Sequence, residues 1–176
     1  MYLEIIILLV VSIYLVFLVH QFINILFRGY APFISTDKKT IREIVSDLDI
    51  KEDSNVYELG CGQARFLRIV ERNFPQAKLT GIENLITIFF INKIRLKLIN
   101  SGIKLLFNNF FKINLNEADL IYCYLNNATM QSLGIKFKQE CKKGTQIISR
   151  SFPIPQFEPE KIIRIKNKNV YFYKIY

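Results

Sequence analysis

Hydrophobic residues follow two different patterns along this chain of 176 residues. Residues 5–19 are almost entirely aliphatic, and residues 22–27 continue the run after His20 and Gln21. Beyond residue 40, short apolar segments alternate with stretches in which apolar residues recur every three or four positions. The first pattern predicts one long apolar helix, and the second predicts strands that alternate with amphipathic helices.

The N-terminal run holds about 23 apolar residues, enough for a helix to cross a hydrocarbon layer of roughly 30 Å. No basic cluster precedes the run and no small-residue cleavage site follows it, so we predict an uncleaved, single-pass anchor over residues 1–27. A buried helix of a soluble protein is the alternative. Because basic residues follow the run, the rest of the chain is expected on the cytoplasmic side, or on the equivalent side of a mitochondrial-type inner membrane. Those basic residues are Arg28, Lys38, Lys39 and Arg42.

Five predicted strands and four predicted helices follow a connector at residues 28–34. The strands are residues 55–59, 78–82, 104–107, 120–125 and 145–150. The helices cover residues 41–48, with Ser35 or Thr36 as the cap, then 64–73, 85–100, with Gly102 as the stop signal, and 128–141. Two last strands, 161–166 and 170–176, are joined by a predicted turn at 167–169. This order predicts an α/β fold with a mostly parallel sheet and an antiparallel C-terminal hairpin.

The net charge and the number of cysteines limit the classes of function that the sequence supports. The net charge is +9, which favours contact with anionic lipid, and no aromatic-interleaved basic motif indicates nucleic-acid binding. The odd number of cysteines favours reduced, packed thiols over disulfides, and no spacing typical of a metal site is present. The densest basic patch of the sequence consists of Lys136, Lys138, Lys142 and Lys143.

The segment from residue 56 to residue 65 carries the most specific chemical signal, because a predicted strand runs through two glycines into a helix. Gly60 and Gly62 let the backbone turn sharply and approach a ligand, and the amides that open the helix then face that ligand. A dinucleotide fingerprint needs a small residue where Arg65 stands. The spacing of Glu58, Gly60, Gly62 and Ala64 instead resembles motif I of the S-adenosylmethionine-dependent methyltransferases.

An acidic residue at the end of the second strand supports the cofactor interpretation. Glu83 lies 21 residues after Gly62, where an α/β sheet places a carboxylate that accepts hydrogen bonds from ribose hydroxyls. The alternative is that Glu83 only begins the following helix, where its charge meets the helix dipole favourably. We include Cys61, inside the glycine turn, and Asn84, next to Glu83, among the predicted cofactor-binding residues.

Several motifs occur together with the apolar N-terminal run and in a fixed order. These are Gly29–Phe33 (GYAPF), Glu58–Arg65 (ELGCGQAR), Gly81–Asn84 (GIEN) and Arg150–Pro155 (RSFPIP). The set resembles the membrane-anchored lysine methyltransferases related to the mitochondrial ATP synthase c-subunit lysine methyltransferase, including their small prokaryotic relatives. The resemblance implies a Rossmann-like class I methyltransferase domain over residues 55–176, after an N-terminal transmembrane helix (1–27) and a segment, 28–54, that holds the connector and the first helix.

The resemblance also implies a cofactor, S-adenosyl-L-methionine, and the residues that bind it. Glu58, Gly60 and Gly62 would contact its methionine end. Asn109 stands where such enzymes usually hold an aspartate beside the adenine amino group, and an asparagine keeps a carbonyl acceptor for that amine. Phe110 is predicted either to cover the adenine or to be a core residue.

Tyr124 and Asn126 are the predicted catalytic residues, because the fourth strand ends there and α/β proteins bind ligands at strand ends. In the family, this segment borders the methyl-acceptor site, and these two residues would hold a lysine amine; packing is the alternative for Tyr124. The expected acceptor is a membrane-associated protein, since the motif of nucleic-acid amino-methyltransferases is absent from the sequence. Two other functions stay open: methylation of a lipid-soluble small molecule, and a non-catalytic scaffold, which Ala64 and Asn109 motivate as departures from the usual pattern.

Overall fold

The computed structural model describes the backbone of residues 2–28 and 36–176, with all side chains in these ranges except those of residue 21 and residues 24–28. The chain divides into two compact units, residues 1–34 and residues 35–176. The first unit contains helix α1, Tyr2–Arg28. Its segment Tyr2–His20 has a mean hydropathy of 2.8 and none of it is buried, so it qualifies by length and composition as a membrane span, a test that a signal sequence also passes. The predicted GYAPF connector lies outside the described residues.

The second unit contains the predicted alternation of strands and helices, with element ends that differ from the predicted ones by at most a few residues. The strands are β1 (Asn55–Leu59), β2 (Lys78–Glu83), β3 (Lys104–Phe107), β4 (Leu120–Cys123), β5 (Gln146–Arg150), β6 (Lys161–Ile165) and β7 (Lys168–Lys174). The helices are α2 (Lys38–Val45), α3 (Arg65–Asn73), α4 (Ile86–Leu98) and α5 (Asn127–Glu140), and a 3-10 turn at Phe110–Lys112 was not predicted.

The seven strands form one sheet in the order β3-β2-β1-β4-β5-β7-β6. Strands β1 to β5 run parallel to one another, whereas β7 pairs antiparallel with both β5 and β6. The prediction of a mostly parallel sheet with an antiparallel C-terminal hairpin is therefore confirmed. Strand order reverses between β1 and β4, and the carboxyl ends of strands at such a reversal form the crevice where α/β proteins bind ligands.

Two hydrophobic cores lie on the two faces of the sheet. Helices α2, α3 and α4 contribute to one core, and α5 contributes to the other. At the centre of the first core, the ring of Phe66 stacks on that of Tyr122, with centroids 4.2 Å apart. All four residues predicted for the buried face of α3 are buried: Phe66, Leu67, Ile69 and Val70. Each such side chain contributes roughly 1.5–3 kcal/mol by leaving water.

The predicted cap of α2, the stop signal of α4 and the hairpin turn are wrong, each for a local reason. Asp37 caps α2, because its carboxylate accepts the Thr40 N–H at 3.1 Å, whereas Thr36 instead shares a hydrogen bond with the buried Tyr122 hydroxyl. Ser35 lies outside the described residues. After α4, the left-handed residue is Asn100, with φ +48°, and not the predicted Gly102. The hairpin turn lies one residue earlier than predicted, at residues 166–167, with Lys166 in a left-handed conformation.

The basic patch predicted at residues 136–143 is partly neutralised in the folded chain. Lys136 pairs with Glu140 at 2.6 Å, and Lys142 pairs with Asp119 at 2.6 Å. Because these two of its four lysines have a carboxylate beside them, the patch offers less net charge to a partner than the sequence indicates. The three cysteines are free thiols, as expected, and Cys61 and Cys123 are buried.

Candidate functional site at the carboxyl edge of the sheet

The turn between β1 and α3 adopts the conformation for which its glycines were singled out. Gly60 has φ +68° and Gly62 has φ +51°, both in the left-handed region that side chains disfavour. A Cβ atom at Gly60 would lie 2.9 Å from Leu125 Cδ2, so the turn passes closely below the end of β4. The Cys61 N–H donates to Ile82 O at 2.9 Å and ties the turn to β2. In this bend Gly60 is exposed at the crevice, whereas Cys61 and Gly62 are buried.

Glu83 faces this bend from the end of β2. Its buried carboxylate accepts the Gly62 N–H at 2.8 Å through one oxygen and the Asn84 and Leu85 N–H groups at 2.9 Å through the other. Burial raises the pKa of Glu83, and these three hydrogen bonds oppose that increase. Glu83 thus fixes the glycine turn and also lies at the start of α4, as the helix alternative expected, and its ribose contact stays a prediction.

Glu58 lies behind the turn and caps α3. One carboxylate oxygen accepts the Leu67 N–H at 3.4 Å, and Ala64 at the helix start offers no side-chain cap. Burial raises the pKa of Glu58 to about 8; the Leu67 hydrogen bond opposes the shift and the charge of Glu83 adds to it. Two buried carboxyl groups therefore stand close behind the bend, an arrangement that favours a positively charged ligand.

The remaining predicted cofactor residues differ in what they present to the crevice. Cys61 directs its sulfur towards Gly81, where an added Cβ would lie 2.9 Å from Sγ, so its side chain packs inside the domain. Asn84 is half-buried beside Glu83. Asn109 is half-buried as well, and its side-chain oxygen accepts the Phe111 N–H at 3.0 Å and caps the 3-10 turn.

Phe110 is buried in the second hydrophobic core together with Leu59 and Ile82. Its ring therefore has little free face for a ligand, which favours the core alternative over adenine stacking. The neighbouring Phe111 is 40% exposed and contacts Phe110 with ring centroids 4.9 Å apart. An aromatic surface beside Asn109 is thus available from Phe111, a residue that the sequence analysis did not single out.

Tyr124 follows β4 and lies between two cations. Its hydroxyl is 2.5 Å from Lys168 Nζ, which also lies 5.2 Å from the centre of the tyrosine ring. The guanidinium carbon of Arg150, at the end of β5, lies 4.9 Å from the same ring centre. Burial alone would raise the pKa of Tyr124, but the Lys168 hydrogen bond and both positive charges outweigh it and lower that pKa.

The carboxylate of Asp37, a residue near the start of this domain in the sequence, also lies at this edge of the sheet. Asp37 lies 3.1 Å from Lys166 Nζ and 4.0 Å from the buried guanidinium of Arg150. Burial would raise the pKa of Asp37, but hydrogen bonds from Thr40 and Lys166 lower it well below its ordinary range. The RSFPIP motif pointed to Arg150 only as part of a family signature, and no sequence signal connected Asp37 or Lys166 to this edge.

Asn126, the second predicted catalytic residue, caps α5. Its side-chain oxygen accepts the Thr129 N–H at 2.8 Å and so satisfies the first turn of that helix. The predicted fourth strand was two residues too long, because β4 ends at Cys123 and residues 124–126 form the connection to α5. In the structure, Tyr124 therefore lies beside charged side chains from β5 and β7. The side-chain oxygen of Asn126 instead caps the helix that follows it.

Comparison with known proteins shows the family to which this chain belongs. Residues 58–161 match the model of the ANTKMT methyltransferase domain, which is more than half of the chain. The chain belongs to this methyltransferase family. It is also 27% identical over 159 residues to a protein-lysine N-methyltransferase of Saccharolobus islandicus (strain REY15A), covering 83% of this chain and 94% of that protein.

Two solved structures share the fold. An RNA methyltransferase from Salinibacter ruber in complex with S-adenosyl-L-homocysteine matches with a TM-score of 0.76 and 21% identity, over 81% of this chain and 94% of that one. A precorrin-6y C5,15-methyltransferase from Geobacter metallireducens GS-15 matches with a TM-score of 0.63 and 12% identity, over 81% and 88%. At these identities the likeness concerns the class I methyltransferase fold.

The family match makes this protein an S-adenosylmethionine-dependent methyltransferase, which disfavours the scaffold alternative. The crevice fits the cofactor on its own geometry. Gly60 and Gly62 place no Cβ atom at two left-handed positions of the bend, and the two carboxyl groups behind it suit a sulfonium and an ammonium group. The membrane anchor that the resemblance implied rests only on the apolar helix α1.

Proposed function

We propose that this enzyme transfers a methyl group from S-adenosyl-L-methionine to a lysine ε-amine of a membrane-associated protein. The contact between Lys168 and Tyr124 carries the lysine part of the proposal. A lysine ammonium group already lies within hydrogen-bond distance of the Tyr124 hydroxyl, so this strand end has the chemistry to hold such a group. The protein-lysine N-methyltransferase of Saccharolobus islandicus, as a relative, supports the same acceptor class.

We assign the cofactor to the crevice at the ends of β1 and β2. The backbone at Gly60 and Gly62 would approach its methionine part, with the charge of Glu58 behind the turn. The Glu83 carboxylate would exchange one of its backbone donors for ribose hydroxyls. Asn84 and Asn109 would line the nucleoside side of the crevice. Both Glu58 and Glu83 have raised pKa values, and a cationic ligand would favour their ionised forms.

The methyl acceptor would lie beside Tyr124. When bound, S-adenosyl-L-methionine supplies an electrophilic methyl group on a sulfonium centre. A lysine amine is a nucleophile only after it loses its proton, and its ordinary pKa is about 10.4. The positive charges of Arg150 and Lys168, together with desolvation, would lower the pKa of an amine placed beside the ring. The Tyr124 hydroxyl would then orient the neutral amine by a hydrogen bond.

Helix α1 and the basic residues after it support a membrane location with the catalytic domain on the cytoplasmic side. Such a location brings the enzyme close to acceptors in or on the same membrane. It serves a lipid-soluble small molecule equally well, so that acceptor class stays the second candidate. The two candidates differ in where the transferred methyl group is found.

The test uses the full-length enzyme in nanodiscs, methyl-tritiated cofactor, and membranes from cells that lack the gene. We expect label in a protein band, and mass spectrometry should place methyl groups on a lysine of that band. A modified lysine of the enzyme itself is recognised by the mass of its peptides. Label that moves into an organic extract while no protein band is labelled would contradict a protein acceptor and favour the small molecule.

A further inference from the structure

We propose that the layer formed by α2, α3 and α4 is a docking surface for an anionic lipid bilayer. In this proposal, α4 inserts apolar side chains among the acyl chains, and basic residues of α2 and α3 contact lipid phosphates. The inference rests on the membrane location in the proposed function, but it does not depend on the lysine acceptor.

Helix α4 exposes large apolar side chains where a surface helix of a soluble domain carries polar ones. Ile86, Phe90, Ile94 and Leu98 recur every four residues and are 47%, 52%, 61% and 79% exposed, and Ile91 beside them is 55% exposed. The opposite face packs against the sheet through Ile88, Phe89, Asn92 and Leu96. Since the fold needs only one apolar face, the second one indicates an interaction surface.

The apolar stripe continues onto the sheet edge. Phe107, at the end of β3, is 51% exposed, and its ring centroid lies 5.4 Å from that of Phe89. Phe89 in turn contacts Phe90 at 5.5 Å. The stripe therefore reaches from the far end of α4 to the carboxyl edge of the sheet, where we assign the cofactor.

The charged residues of α4 are all basic: Lys93, Arg95 and Lys97 flank the apolar stripe. A helix with exposed apolar residues on one side and only lysine and arginine along its borders is typical of helices that lie in a membrane interface. The lysine and arginine stems also extend along apolar surface while their charges stay near water and phosphate.

A basic cleft lies next to α4 on the same layer. It is a shallow, open cleft between α2 and α3, and it is lined by Lys38, Arg42, Arg65, Arg68, Ile69 and Arg72. In the part of the chain that the structure describes, none of its five cations forms an ion pair with a carboxylate. An uncompensated group of this kind attracts phosphate-bearing surfaces.

Arg68 shows that the cations of this cleft repel one another. Burial lowers the pKa of Arg68, and the charges of Arg95, Arg65 and Arg72 lower it further, against a smaller opposing effect of Glu58. Its Nε atom is buried without a hydrogen-bond partner in the described structure. Because Arg95 belongs to α4, this cluster and the apolar stripe adjoin one another on one surface.

The sequences of α2, α3 and α4 also contain many more basic than acidic residues. Each of α2, α3 and α4 carries three basic residues, against two acidic residues in all, Glu43 and Glu71. The Glu71 carboxylate is already engaged by the Ser101 hydroxyl at 2.8 Å and the Gly102 N–H at 2.6 Å. The layer therefore presents nine basic residues with little internal compensation.

A bilayer accounts for both features, whereas the other occupants account for one each. A nucleic acid would neutralise the cations but would leave the isoleucine and leucine side chains of α4 in water. A second copy in a symmetric dimer would cover the stripe but would bring two uncompensated cation clusters together. In the sequence, only nine residues separate α1 from α2, a tether of at most about 35 Å, so a membrane that holds α1 stays within reach of this layer.

The chain contains no tryptophan, so one substitution provides a specific optical probe. Ile94→Trp in the full-length protein, reconstituted into vesicles that contain phosphatidylserine, should show blue-shifted emission that brominated lipids quench. Ile135→Trp is the matched control, because Ile135 is 53% exposed on α5, which packs on the other face of the sheet. We expect the Ile135→Trp emission to be unaffected by brominated lipids.

A second comparison tests the charges. Arg42→Gln together with Arg72→Gln, in the Ile94→Trp background, should weaken docking on phosphatidylserine vesicles roughly tenfold or more, since each basic residue near such a surface adds about 1 kcal/mol. Both arginines are exposed. The double change should have little effect on vesicles of phosphatidylcholine alone.

Four results would overturn all or part of the inference. If the protein floats with the vesicles but the Ile94→Trp emission is not quenched, the docking surface is wrong while the membrane location stands. If the protein does not float, the location and the docking surface are both wrong. Cross-linking of Ile94→Cys to a second copy, without lipid quenching of Ile94→Trp, would assign the stripe to a dimer. If RNA binds the basic cleft while lipids still quench the Ile94→Trp emission, the basic residues of the cleft do not contact lipid phosphates.

Discussion

The two halves of the carboxyl edge of the sheet consist of different kinds of chemical group. At β1 and β2, the site consists of backbone and buried carboxyl groups, and Gly60, Gly62 and Glu83 come from one βαβ unit. At β4, β5 and β7, it consists of side chains, with Tyr124 and Lys168 separated by 44 positions in the sequence. The first half is fixed by local chain geometry, and the second half depends on the register of the whole sheet.

This difference matches what each half is proposed to recognise. The cofactor is the same molecule in every turnover, so a rigid backbone bend with two carboxyl groups behind it suits its shape and charge. The proposed acceptor is a flexible side chain of another protein, and the groups around Tyr124 are the ends of long side chains, with Lys168 exposed and Arg150 buried. Substitutions should accordingly have large, general effects at the first half and smaller, acceptor-specific effects at the second.

The largest effect is expected for Gly60→Val. The residue has φ +68°, which side chains rarely adopt, and a Cβ atom would lie 2.9 Å from Leu125 Cδ2, so either the turn or the Leu125 side chain has to shift. Left-handed strain of about 1–2 kcal/mol and overpacking of about 1–3 kcal/mol together predict a loss of cofactor affinity of about 100-fold. Calorimetric titration measures the affinity, and circular dichroism checks that the domain is folded.

Gly102→Ala is the matched control for this change. Gly102 has no left-handed φ, and the nearest atom to an added Cβ is Glu71 Oε1 at 3.6 Å, an ordinary contact. Its cofactor affinity should equal that of the wild type. If Gly60→Val also bound the cofactor normally, the backbone bend would not be the binding element, and the contrast between the two halves would fail.

Glu58→Gln should remove most of a pH dependence of stability. The folded-state pKa of Glu58 is about 8, above its ordinary value of 4.5. Between these values the unfolded chain has lost a proton that the folded chain keeps, so the free energy of unfolding falls as pH rises from about 4.5 to about 8. Glutamine does not titrate, so the variant should gain on the order of 3 kcal/mol relative to wild type between pH 5 and pH 8.

Denaturant unfolding of both proteins at pH 5 and pH 8 measures this difference. Glu83 also has a raised pKa, and the effect of its own burial is common to both proteins, so the comparison reports Glu58 together with its interaction with Glu83. A stability difference between variant and wild type that is the same at both pH values would show that Glu58 is ionised in the folded chain, and that the half at β1 and β2 is less buried than its structure indicates.

Glu83→Gln tests the ribose assignment. The carboxylate accepts three backbone N–H groups, and glutamine has one acceptor oxygen, so either the turn or the ligand loses a hydrogen bond. Hydrogen bonds to charged groups contribute about 1.5–3 kcal/mol, which predicts a cofactor affinity lower by about 10- to 100-fold. Glu71→Gln is the control, because Glu71 binds Ser101 and Gly102 instead of the turn. Equal affinities of the two variants would refute the role of Glu83.

The contrast between the halves also explains what the sequence could predict. Strands β1 and β2, the buried face of α3 and the left-handed glycines follow from short-range periodicity and turn chemistry, which one stretch of sequence contains. The motif did not reveal that Glu58 caps α3. That contact arises because Ala64 leaves the first turn of the helix without a side-chain acceptor.

The half at β4, β5 and β7 was predicted less well, because one residue of register decides it. The sequence placed Lys168 inside the hairpin turn, whereas the turn lies at residues 166–167 and Lys168 begins β7. In a strand, a shift of one residue moves a side chain to the other face of the sheet. The contact of Lys168 with Tyr124, and that of Lys166 with Asp37, therefore follow only from the folded hairpin.

The smallest of the four effects is expected for Tyr124→Phe, which keeps the ring between Arg150 and Lys168 and removes only the hydroxyl. Loss of one hydrogen bond to the acceptor amine, worth about 1 kcal/mol, predicts a kcat about fivefold to tenfold lower with unchanged cofactor affinity. Tyr171→Phe is the control, since that hydroxyl contacts only Asn169 within the hairpin. A Tyr124→Phe enzyme that lost cofactor affinity instead of turnover would show that the two halves of the edge act as one site, because a change confined to the acceptor half would then have reached the cofactor.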